Sequence, residues 1–148
     1  VVDRGVVYAI SHSGRLVAID LRTGARVWDR SIGGSETPWV AGNFIYVLSN
    51  QGDLYCLTRL GGRVRWVQSL PKYEDPEDKD GPIKWFGPVL ASDRLMVVGN
   101  HGEVLSVSPY TGAFLSKLEL TDKLSVAPVV ASGSVFFLSD DADLIVYR

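Results

Sequence analysis

The chain has 148 residues, close to one average domain, with 46% hydrophobic and 22% charged residues and a formal net charge of −2. That composition excludes a charge-rich disordered chain, and neither the basic run of a nucleic-acid binder nor the ~18 consecutive apolar residues of a membrane helix is present. One cysteine, Cys56, rules out a disulfide-stapled fold and leaves the redox compartment open.

The chain opens VVDRGVVYAI, with no initiator methionine and no signal-peptide pattern, so a piece of a longer polypeptide is expected. Val1–Asp3 reads as a stub of a strand. Gly5–Ile32, GVVYAISHSGRLVAIDLRTGARVWDRSI, then gives three short apolar runs divided by turn residues. A second unit, Gly42–Leu70, repeats the pattern, and a third runs from Ser92 to Leu120. A fourth, SGSVFFLSDDADLIVYR, begins at Ser132. The second unit resolves best: strand A at Pro38–Ala41, B at Phe44–Ser49, C at Asp53–Thr58 and D at Arg63–Ser69. Strand B is apolar throughout, as a strand covered on both faces should be. Strand D alternates, with Val64 and Trp66 opposite Arg63, Arg65 and Val67, as a half-exposed outer strand should. In the fourth unit, strands are expected at Val126–Ala131, Val135–Ser139 and Leu144–Arg148, with no outer strand D.

The turn glycines Gly14, Gly52 and Gly102 recur at intervals of 38 and 50 residues. The longer interval contains a polar, acidic insertion between Pro71 and Pro82. Without it the period is about 40, which suits blades of four short strands. A sandwich or barrel also has many short strands but does not repeat its sequence at that period. The fold class is therefore all-β: a β-propeller segment of about four four-stranded blades, at 1–35, 36–70, 85–120 and 125–148, with an insertion loop at 71–84.

The segment LVAIDLRTGARVW, Leu16–Trp28, resembles the quinoprotein-type propeller repeat: a short aliphatic strand, Asp, a Thr-Gly turn and Trp four residues after the Gly. Gly62–Trp66 keeps that spacing. The third unit has Thr111-Gly112 but Ser116 in place of Trp, so its outer strand is expected to dock less tightly on the neighbouring blade. The order of units, and the stretches GVVYAISHSGRLVAIDLRTGARVW, GNFIYVLSNQGDLYCLT and ADLIVYR, are similar to the C-terminal half of the BamB family of outer-membrane assembly lipoproteins. That resemblance implies an eight-bladed parent in the periplasm of a Gram-negative bacterium, held at the outer membrane by a lipid absent from this chain. It also implies a non-catalytic scaffold whose partner is the periplasmic part of the β-barrel assembly machine.

Quinone-dependent dehydrogenases share the propeller and are the enzyme alternative, along with other ligand-binding periplasmic propellers. They use calcium, a stacked quinone, a catalytic carboxylate and usually a vicinal cysteine pair, which a single cysteine cannot supply. No haem site, nucleophile elbow or P-loop is present. No catalytic residue, cofactor or metal site is therefore assigned. His12 and His101 are read as solvated B-to-C turn residues, and Cys56 as an inert buried thiol. The insertion carries Glu74, Asp75, Glu77, Asp78 and Asp80, but Pro76 and Gly87 stand where a calcium loop needs ligands. It reads as a solvated, mobile loop, since prolines and charges oppose a strand. Trp28 and Trp66 are read as inter-blade core. Trp39 and Trp85, beside Pro38 and Pro88, are either partner anchors at a rim or packing at the blade top. The resemblance places the partner contact in loops from strand D to the next strand A: Gly33–Thr37, Leu70–Trp85 and Thr121–Ser125. The candidate partner-binding residues are Glu36, Thr37, Trp39, Trp85 and Asp122. Unpaired blade edges, above all Leu144–Tyr147, give an open arc a route to self-association.

Overall fold

A computed structural model describes all 148 residues, Val1–Arg148. It consists of strands and turns without a helix. The chain divides into two compact units, Val1–Ser69 and Leu70–Arg148.

The first unit holds two four-stranded antiparallel sheets whose spatial order follows the sequence. One is β1 (Val2–Asp3), β2 (Val6–Ser11), β3 (Arg15–Asp20) and β4 (Arg26–Arg30); the other is β5 (Trp39–Ala41), β6 (Phe44–Leu48), β7 (Asp53–Thr58) and β8 (Val64–Ser69). This four-strand meander is the topology of a propeller blade. Strand bounds read from the second unit hold to within a residue. β6 is buried along almost its whole length, and β8 alternates, with Trp66 and Gln68 more covered than their neighbours.

The repeated turn between the third and fourth strands has a local cause. Asp20 Oδ1 accepts hydrogen bonds from the Arg22 and Thr23 amides at 2.9 and 2.8 Å and from the Thr23 hydroxyl at 3.0 Å. These bonds, the Thr23 amide first, hold the Asp20 carboxyl below its ordinary range. Gly24 closes the turn by donating to Asp20 O, at a φ of 73° that suits only glycine well. Ser108 plays the Asp20 part for Tyr110 and Thr111, and Thr58 Oγ1 accepts from Arg63. A bulge follows the residue opposite each Trp position, at Ala18/Ile19, Cys56/Leu57 and Ser106/Val107.

Within this unit Trp28 joins the two sheets. It is buried with Tyr8, Leu16, Ala18, Ile45, Val47 and Leu57. Its indole N–H donates to Arg59 O at 3.0 Å. Its ring lies so close over Gly62 that a Cβ there would meet ring carbons at 2.6 Å. The Gly and Trp of the repeat are thus partners across successive blades, Trp from one and Gly from the next. The inter-blade reading of Trp28 holds. Arg59 is buried in the same joint; it bonds Tyr8 Oη at 3.1 Å and pairs with Asp3 at 2.9 Å.

The second unit opens with a hairpin, β9 (Tyr73–Asp75) and β10 (Asp80–Pro82). The expectation that the insertion is a strandless loop is corrected here. Its prolines lie where a strand tolerates them: Pro76 is in the turn, and Pro82 ends β10. Asp75 Oδ1 caps the turn by accepting from the Glu77 and Asp78 amides. A four-stranded sheet follows: β11 (Trp85–Ala91), β12 (Arg94–Gly99), β13 (Glu103–Val107) and β14 (Phe114–Glu119). Pro88 sits inside β11, at a shift of register between Phe86 and Val89 that removes the need for its missing N–H. The last sheet has three strands, β15 (Val129–Ala131), β16 (Ser134–Leu138) and β17 (Leu144–Tyr147). β15 starts later than the expected Val126, because Pro128 cannot donate to the ladder.

Candidate partner-binding rim

In three sheets, those that begin with β5, β11 and β15, the loop entering the first strand is pinned by the turn between the second and third strands. Asn50 N donates to Gly33 O at 2.8 Å, Asn100 N to Lys84 O at 2.9 Å and Asp140 N to Lys123 O at 2.9 Å. The turn of the preceding sheet holds the loop from its other side. In the first unit Gly34 N donates to Ser11 O at 3.1 Å, and in the second Leu120 N donates to Gly102 O at 2.8 Å. Gly33 has no room for a side chain, since a Cβ would stand 2.8 Å from the Gly14 backbone. Two of the loops expected to face a partner, Gly33–Thr37 and Thr121–Ser125, are thus held from both sides by backbone bonds, and Leu70–Trp85 is held at its Lys84 end.

Glu36, Thr37 and Trp39 lie together in and just after the Gly33–Thr37 loop of the first unit. Thr37 is exposed, and Glu36 and Trp39 are half-buried. Beside them the His12 Nδ1 and Ser35 hydroxyl are 3.1 Å apart, and Asn50 Nδ2 donates to His12 O at 2.8 Å. His12 is exposed, as expected of a turn residue. Asn50 and Ser35 were not singled out by sequence. The signal for Asn50 was there: asparagine stands two residues before glycine in both Asn50-Gln51-Gly52 and Asn100-His101-Gly102. It identifies a turn without identifying the loop that the turn will hold.

In the second unit Asp122 is half-buried in the loop before β15. Trp85 is 4% exposed and donates its indole N–H to Pro71 O at 2.7 Å. Of its two readings, packing at the blade top is the one its burial fits. His101 departs from the solvated turn residue expected. Its ring stands edge-on to Trp85 at 5.8 Å, Nε2 is 3.6 Å from Glu103, and Nδ1 is buried without a hydrogen-bond partner. Gly99 permits this: a Cβ there would lie 2.6 Å from the imidazole. Lys117 bridges Glu103 and Glu119 at 2.9 and 3.0 Å, and the Glu103 bond chiefly raises its pKa. No group of three or more His, Cys, Asp or Glu side chains is placed to hold a metal ion. In the first unit the loop carries exposed polar side chains beside the half-covered Trp39 indole, and in the second Asp122 stands half-covered in its own loop.

A family model described as outer membrane protein assembly factor BamB matches residues 1–68. The curated BamB of Escherichia coli K12 is 29% identical over 95% of this chain, and that of Yersinia pestis is 31% identical over 89%. These alignments cover 34% and 32% of the two relatives, so the chain spans about a third of their length. Among solved structures, BamB from Moraxella catarrhalis superposes with a TM-score of 0.85 at 20% identity, covering 99% of this chain and 41% of that one. By its repeats, its sheets and these likenesses, the chain has a β-propeller fold and is similar in sequence to BamB assembly factors.

Proposed function

We propose that this segment belongs to a non-catalytic scaffold of outer-membrane protein assembly, working in the periplasm at the outer membrane. The observation that carries the reading is the match to curated assembly factors along 95% of the chain. The preformed loops add to it, since surfaces ordered before binding lose little entropy on docking. The partner is a protein, taken to be the periplasmic domains of the β-barrel assembly machine. The candidate contact residues are Glu36, Thr37 and Trp39 on the first unit and Asp122 on the second, with Trp85 supporting its own loop. Self-association through sheet edges is a second mode of protein contact. The quinone-dependent alternative has only the shared fold in its favour, and fold does not imply function.

The test is binding of purified periplasmic domains of the assembly machine, measured by calorimetry. Trp39→Ala is expected to cost at least about 1 kcal/mol, with Glu36→Ala and Asp122→Ala smaller. If all three stay within about 0.5 kcal/mol of the parent, the rim assignment fails. If the parent itself does not bind, the assembly reading fails.

A further inference from the structure

The blade joint closed by Trp28 in the first unit has a counterpart in the second unit that lacks its indole. Register fixes the correspondence. Trp28 pairs with Ala18 one step before the bulge in β3, and Ser116 pairs with Ser106 one step before the bulge in β13. Tyr8, opposite Ala18, corresponds to Met96, opposite Ser106. From the next sheet, the pair Ile45–Leu57 corresponds to Val135–Tyr147, and Val47 to Phe137.

In the first unit these positions form a filled cluster. In the second they line a cavity of about 410 Å³, with Met96, Ser106, Ser116, Val135, Phe137 and Tyr147 in its wall. Three side chains are smaller, Trp to Ser, Tyr to Met and Ile to Val, and although Val47 gives way to Phe137 and Leu57 to Tyr147 opposite them, the space is not filled. The wall is mainly apolar. Arg94 stands at the cavity, with Nη1 3.3 Å from the Ser116 hydroxyl. In the filled joint, a guanidinium likewise lies over the indole, Arg30 at 5.8 Å from the Trp28 ring.

We infer that this cavity is a binding site for a planar aromatic molecule of indole size, which takes the place that Trp28 fills in the first unit. An apolar cavity of this kind binds an apolar guest more readily than it holds water. A flat ring matches the slot between two sheets, as the Trp28 ring does. The site lies in the blade joint and is separate from the proposed partner rim.

Met96 is the only methionine of the chain and lines the cavity. Protein labelled with ¹³C at the methionine methyl therefore gives one reporter signal in the pocket. Titration with indole is expected to shift that signal saturably, at one molecule per chain. Ser116→Trp, which restores the side chain of the repeat, should abolish the shift. Ser106→Leu, which fills the cavity from β13, should abolish it independently, so the test survives if one variant does not fold. No saturable shift at millimolar indole overturns the proposal, as does an undiminished shift in the folded variants. Equal binding of cyclohexanol overturns the aromatic selectivity. A Met96 signal that moves with protein concentration and is unmoved by indole assigns the cavity to a second copy of the chain, and also overturns it.

Discussion

Cys56 lies on β7 opposite Trp66, with 1% of its surface exposed. Burial pushes its thiol up to about 11, against the pull of the Arg65 guanidinium. The thiolate is the nucleophile, so its fraction near pH 8 falls by roughly two orders of magnitude relative to a free cysteine. Native protein is expected to react with iodoacetamide at least about a hundredfold more slowly than protein in denaturant. Equal rates would place the sulfur in solvent. Its inertness was legible because Cys56 sits in an apolar strand between Tyr55 and Leu57. The surroundings of His101 were not legible. Sequence gives its turn, but Trp85 stands sixteen positions earlier on another strand, and only pairing of Trp85 with Gly99 brings the two rings together. Burial of Trp85 was unreadable for the same reason: its hydrogen-bond acceptor is a carbonyl of the insertion, at Pro71.

The Gly62–Trp28 contact shows how one element of the repeat depends on the next. Trp28→Ala removes a buried ring and is expected to cost about 3–5 kcal/mol. Gly62→Ala forces a methyl into ring carbons at a φ of 63°, which should cost about 1–3 kcal/mol. The two losses should not add. With the ring gone the methyl has space, so the double variant should recover about 0.5–3 kcal/mol of their sum. Chemical denaturation of the four proteins measures this, and simple additivity would mean the contact is not tight. Strand identities and the Gly-to-Trp spacing were visible in sequence, because period-2 alternation and turn glycines are local. The partner relation was not, since Gly24 and Trp28 lie nearest in sequence while Trp28 packs on Gly62. The β9–β10 hairpin was missed for a different reason. Prolines weigh against a strand in general, but each falls where the ladder needs no N–H from it.

At the scale of the whole chain, solution behaviour depends on how sheet edges are protected. β17 is an outermost strand of its sheet, paired only with β16. It carries no charge or proline between Leu144 and Tyr147, and Leu144, Val146 and Tyr147 are 63%, 48% and 42% exposed. Natural edges are usually blunted by charge, proline or a bulge, and this one has none of these. The outer strand β14 differs, because Lys117 and Glu119 mark it with charge. β17 is therefore an edge at which pairing with a second copy is expected, with apolar side chains adding to the backbone bonds. Light scattering at micromolar concentrations is expected to give a mass above the monomer that rises with concentration. Val146→Lys places a charge on the exposed strand and should return the mass to the monomer without loss of fold, because Val146 is half open to solvent. If the parent is already monomeric, or if Val146→Lys leaves the association unchanged, β17 is not the contact, and any association belongs to another surface.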